Sequence, residues 1–243
     1  MSARARSVPG ASAAAGAVLA IELSQRAGSV ALRPAPGGAA VAADVPPSDD
    51  RGDHLMDVID RLCASAGVGA RDLRVVAVSV GPGGFTGLRV ACATARAIAD
   101  ATGAGAIAVP SALVAARTLV MQERWAPAEG TDACVLLAAK GADAWGTSVR
   151  MESGMPRMVD SALVPVGVDP GMVVVGDAHA RVLWPAVPAE RWIDARFCAR
   201  ACLDVALALE ASGASSDPAA VAPIYPRPPE AVTLWDRRHR ASA

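Results

Sequence analysis

The segment best equipped for chemistry is Gly81-Pro82-Gly83-Gly84-Phe85-Thr86-Gly87-Leu88-Arg89. It follows a valine-rich run, Arg74 to Val80, that reads as a strand, and it leads into an alanine-rich run, Thr86 to Thr102, that reads as a helix. At such a junction the first backbone N–H groups of a helix can face an anion. The glycine spacing is G-x-G-x-x-x-G, which misses the dinucleotide fingerprint, and no Gly-Lys-Ser/Thr follows to make a phosphate loop. The residues favour a structural turn instead. Glycines allow close approach of chains, Pro82 stiffens the bend, Thr86 is expected to cap the helix, and Phe85 is expected to anchor beneath it.

The other reactive side chains are scattered. Cys63, Cys92, Cys134, Cys198 and Cys202 are odd in number, contain no C-x-x-C pair and sit mostly in apolar periodic segments, so reduced, buried thiols are expected. His54, His179 and His239 are far apart, which argues against zinc and leaves no metal residues to assign. A Ser79–His54–Asp57 triad has nothing in the sequence to order it. Cys92 lies among small helical neighbours and is expected to be buried rather than nucleophilic. Lys140, the sole lysine, reads as a salt-bridge residue in a strand, the alternative being a partner contact.

Composition narrows the classes. The 243 residues are 53% hydrophobic and 19% charged, enough for a sizeable core. A formal net charge of -1 excludes gripping a nucleic-acid backbone by charge alone, and 3% aromatics exclude a base-stacking platform. No apolar run approaches the ~20 residues of a membrane helix. Ala11 to Ile21 is too rich in alanine and glycine for a signal peptide, so a cytoplasmic location is expected, with 1–16 as a disordered extension.

The elements that must hold the turn follow from periodicity. Ala17 to Leu23, Gly28 to Arg33 and Ala39 to Val45 read as strands of a meander. Asp49 to Ala66 reads as a helix, with Leu55, Ile59 and Leu62 at helical spacing and Asp49, Asp50 and Asp53 near its start. Ala106 to Val109 reads as a strand, with Ser111 capping a helix to Gln122. Later come a hairpin, Cys134–Ala139 with Ala144–Arg150, and strands at Met158–Leu163 and Val173–Val175. A helix is expected over Ala195–Ala211, capped by Asp194, with Phe197, Ala201, Val205 and Leu209 on one face. No sequence repeat stands out. Strands followed by alternating helices and strands, twice over, indicate a mixed α/β protein.

The helix after the turn carries a stripe of small residues, Ala91, Ala95 and Ala99, beside Cys92 and Ile98, with Ala93 and Ala97 on another side. Small residues permit close helix packing, against the protein's own sheet or against a partner, and composition does not choose between them.

Val78 to Pro110, with Gly-Pro-Gly-Gly-Phe-Thr-Gly-Leu-Arg and the alanine-rich helix running on to Ile107-Ala108-Val109-Pro110-Ser111, resembles the TsaB family of tRNA threonylcarbamoyladenosine biosynthesis proteins. Leu19-Ala20-Ile21-Glu22-Leu23-Ser24, Gly28-Ser29-Val30-Ala31-Leu32, His54-Leu55-Met56 and Ala222-Pro223-Ile224-Tyr225-Pro226-Arg227 are similar to further parts of that family, over about residues 18–231. The resemblance implies an α/β, actin/Hsp70/sugar-kinase-like (ASKHA) fold with two mixed-sheet subdomains. They are expected at 17–110, carrying the turn, and 111–231, with 232–243 as a flexible tail. It implies a non-catalytic scaffold without cofactor, paired with a TsaD-like catalytic subunit and a TsaE-like ATPase, meeting tRNA only through the complex. Self-association through the same helical face, as a homodimer, is expected when the partner is absent, since an apolar patch seldom stays exposed. The two N-terminal helices would carry the partner contact, through Leu55, Ile59, Leu62, Leu88, Ala91, Cys92, Ala95, Ile98 and Ala99. Gly81, Pro82, Gly83, Gly84, Phe85, Thr86, Gly87 and Arg89 would be structural.

Three departures stand against the family pattern. The first strand ends Glu22-Leu23-Ser24 rather than Asp-Thr-Ser, Ala138 to Asp143 lacks an Asp-Ala-Arg, and Pro226 interrupts the C-terminal signature. The competing reading is an enzyme of the same superfamily, a nucleotide-dependent transferase or a peptidase-like hydrolase. For a nucleotide site Glu22 would supply the acid, yet no glycine follows it in Leu23-Ser24-Gln25.

Overall fold

The computed structural model describes residues 16–47, 54–140, 143–167, 169–227 and Trp235. The expected N-terminal extension, Asp49, Asp50, Asp53, the tail from 232 apart from Trp235, and the Lys140 side chain lie outside what is described.

Five strands form the first sheet: β1 (Ala17–Glu22), β2 (Gly28–Arg33), β3 (Val41–Val45), β4 (Leu73–Gly81) and β5 (Gly105–Pro110), in the order β3-β2-β1-β4-β5. β1–β2 and β2–β3 are antiparallel; β1–β4 and β4–β5 are parallel. β1 and β4 are apolar through Ala17–Ile21 and Val75–Val78 because both faces of the sheet are covered. The second sheet holds β6 (Asp132–Lys140), β7 (Asp143–Glu152), β8 (Met155–Pro165), β9 (Val173–Gly176) and β10 (Trp192–Asp194), in the order β10-β9-β6-β7-β8. Its pairings repeat those of the first, with β6 standing where β1 stands. The duplication absent from the sequence is therefore present in the topology, and it is the doubled mixed-sheet arrangement of the ASKHA fold.

Helices fill the layers. α1 (His54–Ser65) and α2 (Phe85–Thr102) pack on the outer face of the first sheet, their apolar stripes meeting Leu19, Ile21, Val76 and Val78. α3 (Ser111–Met121) and α5 (Ala199–Ala211) are sandwiched between the two sheets. The short α4 (Ala178–Leu183) covers the far side of the second sheet, over Trp184, and is capped by Asp177, which accepts from Ala180 N at 2.7 Å. α5 is tied to the first sheet. The Ala199 N–H donates to Ser29 Oγ at 2.9 Å, and Glu210 pairs with Arg74 of β4.

Three local expectations need correction. α2 starts at Phe85 with Gly84 in the capping position, because Gly84 N donates to Ser24 O at 2.8 Å and closes the turn there. Thr86 is thus an exposed residue of the first helical turn and caps nothing. Ser111 is buried, and its hydroxyl shares a 2.7 Å hydrogen bond with Ser79 instead of capping α3. α5 begins at Ala199. Asp194 belongs to β10, paired with Gly176, so Phe197 precedes the helix.

Candidate partner interface and the turn behind it

The turn is packed against the end of β1. A Cβ on Gly83 would stand 2.2 Å from Ser24 O, and one on Gly87 2.2 Å from Leu23 O. Both positions must be glycine for the turn to lie on this backbone. Gly84 N, one of the N–H groups an anion would need, is already committed to Ser24 O. Phe85 does not anchor beneath the turn. It is 55% exposed, with the Arg89 guanidinium 3.7 Å above its ring centroid and the Tyr225 ring 5.4 Å away. Helix α2 rises from the turn and carries Phe85 outward, while Leu88 takes the buried place.

Two motifs far apart in the chain therefore meet. The C-terminal segment crosses the turn, with Ile224 N donating to Val80 O at 2.7 Å and Arg89 Nε donating to the Tyr225 hydroxyl at 2.9 Å. Arg227 then donates to Ala138 O at 2.8 Å and Asp143 O at 2.6 Å, reaching the β6–β7 hairpin of the second sheet. The segment is a strap joining turn, α2 and second sheet.

Behind the turn lies a buried acid. Glu22 is fully buried at the end of β1; its Oε1 accepts from Ser24 N at 2.6 Å, and its Oε2 has no hydrogen-bond partner among the described residues. Burial raises its pKa, partly offset by the nearby Ser24 and Ser79 groups. Burial disfavours its charged form and keeps it out of reach of solvent. Ser79 is buried and bonded to Ser111, whereas His54 and Asp57 are exposed on α1, so no triad is assembled. The cysteines are free thiols, and burial pushes Cys92 and Cys134 up to about 11. Thiols so placed are protonated and poor nucleophiles. Among the described residues no group of three or more His, Cys, Asp or Glu is placed to hold a metal.

The expected contact residues need a further correction. Leu55, Ile59, Leu62, Leu88, Ala91, Cys92, Ala95 and Ala99 are at most 7% exposed and form the core between the two helices and the first sheet. They face the protein's own sheet because Leu88, Ala91, Ala95 and Ala99 recur at helical spacing on one side of α2. Only Ile98 of the expected set is half-buried and reaches the outer side. What α1 and α2 present outward is a second set. Met56 and Ala64 of α1, with Ala93, Ala97 and Ala101 of α2, are exposed along an apolar groove of about 720 Å³ between the helices. Arg89, Arg96 and Asp100 mark the solvent side of α2, and the small residues lying among them are the accessible ones. That charge pattern was the signal available in the sequence.

Residues 48–141, which span both helices and the turn, match the family model described as TsaD: tRNA N6-adenosine threonylcarbamoyltransferase. Among curated proteins there is no significant match. Two solved structures from Pseudomonas aeruginosa share the fold. One is described as an uncharacterized protein with similarity to peptidase YEAZ, at TM-score 0.73 and 22% identity over 87% of this chain and 100% of that one. The other is described as YeaZ, at TM-score 0.73 and 22% identity over 86% and 99%. The turn sequence, the matched segment around it and the doubled fold converge on one resemblance, to the TsaB family.

Proposed function

We propose that this protein serves tRNA threonylcarbamoyladenosine formation as a non-catalytic scaffold, docking a TsaD-like catalytic subunit on the outer faces of α1 and α2. The observation that carries the reading is the apolar groove lined by Met56, Ala93, Ala97 and Ala101, on the segment that matches the family. Small side chains on two neighbouring helices let further helices approach closely, and an exposed apolar groove of this kind marks an interaction site. The titratable groups support the scaffold reading. A nucleotide-dependent transferase would need an accessible acid at the end of β1, and Glu22 is sealed. A hydrolase would need a nucleophile that substrate can reach, and Ser79 and Cys92 are buried.

In this arrangement a TsaE-like ATPase joins the pair, and tRNA meets the complex rather than this chain alone. Reconstitution tests it. Transfer of the threonylcarbamoyl group to tRNA is measured with the catalytic subunit and ATPase, with and without this protein. Transfer that depends on this protein, and none from this protein alone, is the expected result. Transfer by the isolated chain would overturn the reading.

A further inference from the structure

We propose that Phe85, Arg89 and Tyr225 form an acid-reading contact point, where the Arg89 guanidinium receives a carboxylate from the protein docked on α1 and α2. The inference rests on the docking reading above and gives that partner a chemical requirement. Arg74, Arg117, Arg150, Arg157 and Arg191 are each bound to a carboxylate of this chain. Arg89 is not. Its Nε donates to the Tyr225 hydroxyl, and its two terminal amino groups have no partner among the described residues. The guanidinium lies 3.7 Å from the Phe85 ring centroid and 5.8 Å from that of Tyr225, so ring stacking and the Tyr225 hydrogen bond favour this orientation before anything binds. A planar fork held in this way is suited to a bidentate carboxylate. Both rings are exposed, at 55% and 42%, and arginine with aromatic neighbours is the composition of an interface hot spot.

Position ties the cluster to the groove. Arg89 precedes Ala93 by one helical turn and Ala97 by two, about 6 and 12 Å along α2. A partner helix lying over those alanines therefore reaches Arg89 within its own length. A nucleic-acid backbone fits less well. The other charges on this side of α2 are Arg96 and Asp100, one of each sign, and a phosphate chain needs several cations in series.

The test is the affinity for the TsaD-like subunit of the same organism, by calorimetry at low and moderate salt. Wild type is compared with Arg89→Gln, Arg89→Glu and Ala97→Glu, each checked by thermal melting. Arg89→Gln is expected to bind about tenfold more weakly and to lose salt dependence, with Arg89→Glu about tenfold weaker again. A purely structural Arg89 would not separate the neutral variant from the reversed one. If both Arg89 variants bind like wild type while Ala97→Glu does not, the contact point is wrong and the docking reading stands. If Ala97→Glu binds like wild type, the docking reading itself fails. Should Arg89→Gln melt early, wild-type affinity that is indifferent to salt overturns the proposal and affinity that falls with salt supports it. Retention of tRNA by the isolated protein, lost in Arg89→Gln, would also overturn it, in favour of a phosphate.

Discussion

Glutamate placed at two positions two residues apart on α2 should produce opposite defects. Ala95 is 0% exposed, in the core between α2 and the first sheet; Ala97 is exposed on the rim of the groove. Ala95→Glu forces a carboxyl into an apolar site with no designed partner. The effective penalty for burying an unpaired charge is several kcal/mol, and overpacking adds about 1–3 kcal/mol. Against a whole-domain stability of about 5–15 kcal/mol, that is enough to unfold the protein or to lower its Tm by more than about 10 °C. Ala97→Glu extends into solvent. Glutamate is nearly as good a helix former as alanine, so stability should change by less than about 0.5 kcal/mol. The long charged side chain would nevertheless stand where a docked helix must approach. The assay is a thermal melt of both variants, followed by calorimetry against the TsaD-like subunit. An Ala95→Glu protein that melts like wild type, or an Ala97→Glu protein that unfolds, would refute the assignment of inner and outer faces.

The buried acid gives a pH prediction. Glu22 has its folded pKa raised above the ordinary 4.5, so the stability of the neutral form is fully present below that value and is lost as pH rises through the folded pKa. Wild-type stability should therefore decline from about pH 4.5 upward relative to Glu22→Gln, and the variant should be the more stable of the two at pH 8. Parallel denaturation profiles for the two proteins across pH 4–8 would contradict this. At the turn, Gly87→Ala places a Cβ 2.2 Å from the Leu23 carbonyl oxygen, a backbone atom that cannot swing aside. A loss of about 1–3 kcal/mol or more in urea denaturation is expected, and a neutral outcome would mean that β1 and the turn are not packed as described.

The sequence carried the first sheet well because its central strands are apolar on both faces. Ala17 to Leu23 and Arg74 to Val80 could only be buried strands, and the glycine turn with its helix follows directly from the change of period. The inner and outer stripes of α2 were harder to tell apart. Ala91, Ala95 and Ala99 look no different from Ala93, Ala97 and Ala101 by composition, and only Leu88 on one side and Arg89, Arg96 and Asp100 on the other break the tie. Phe85 misled for a related reason. Hydrophobicity argues for burial, but its place at the first position of α2 turns it outward, toward a tyrosine 140 positions later in the chain. No local pattern reports such a contact, nor the repeated strand order of the two sheets, because topology is conserved by pairing and not by residue identity. Asp194 failed as a cap because a three-residue strand claimed it through pairing with Gly176.

The most direct test of the account is where the catalytic subunit touches this protein. A photo-crosslinking residue is introduced at position 97 on the outer ridge of α2 and, separately, at position 159, an exposed valine of β8 on the second sheet. Mixed with the TsaD-like subunit and irradiated, the protein labelled at 97 is expected to crosslink to it and the protein labelled at 159 is not. Crosslinking from 159 with none from 97 would show that the partner sits on the other half of the molecule.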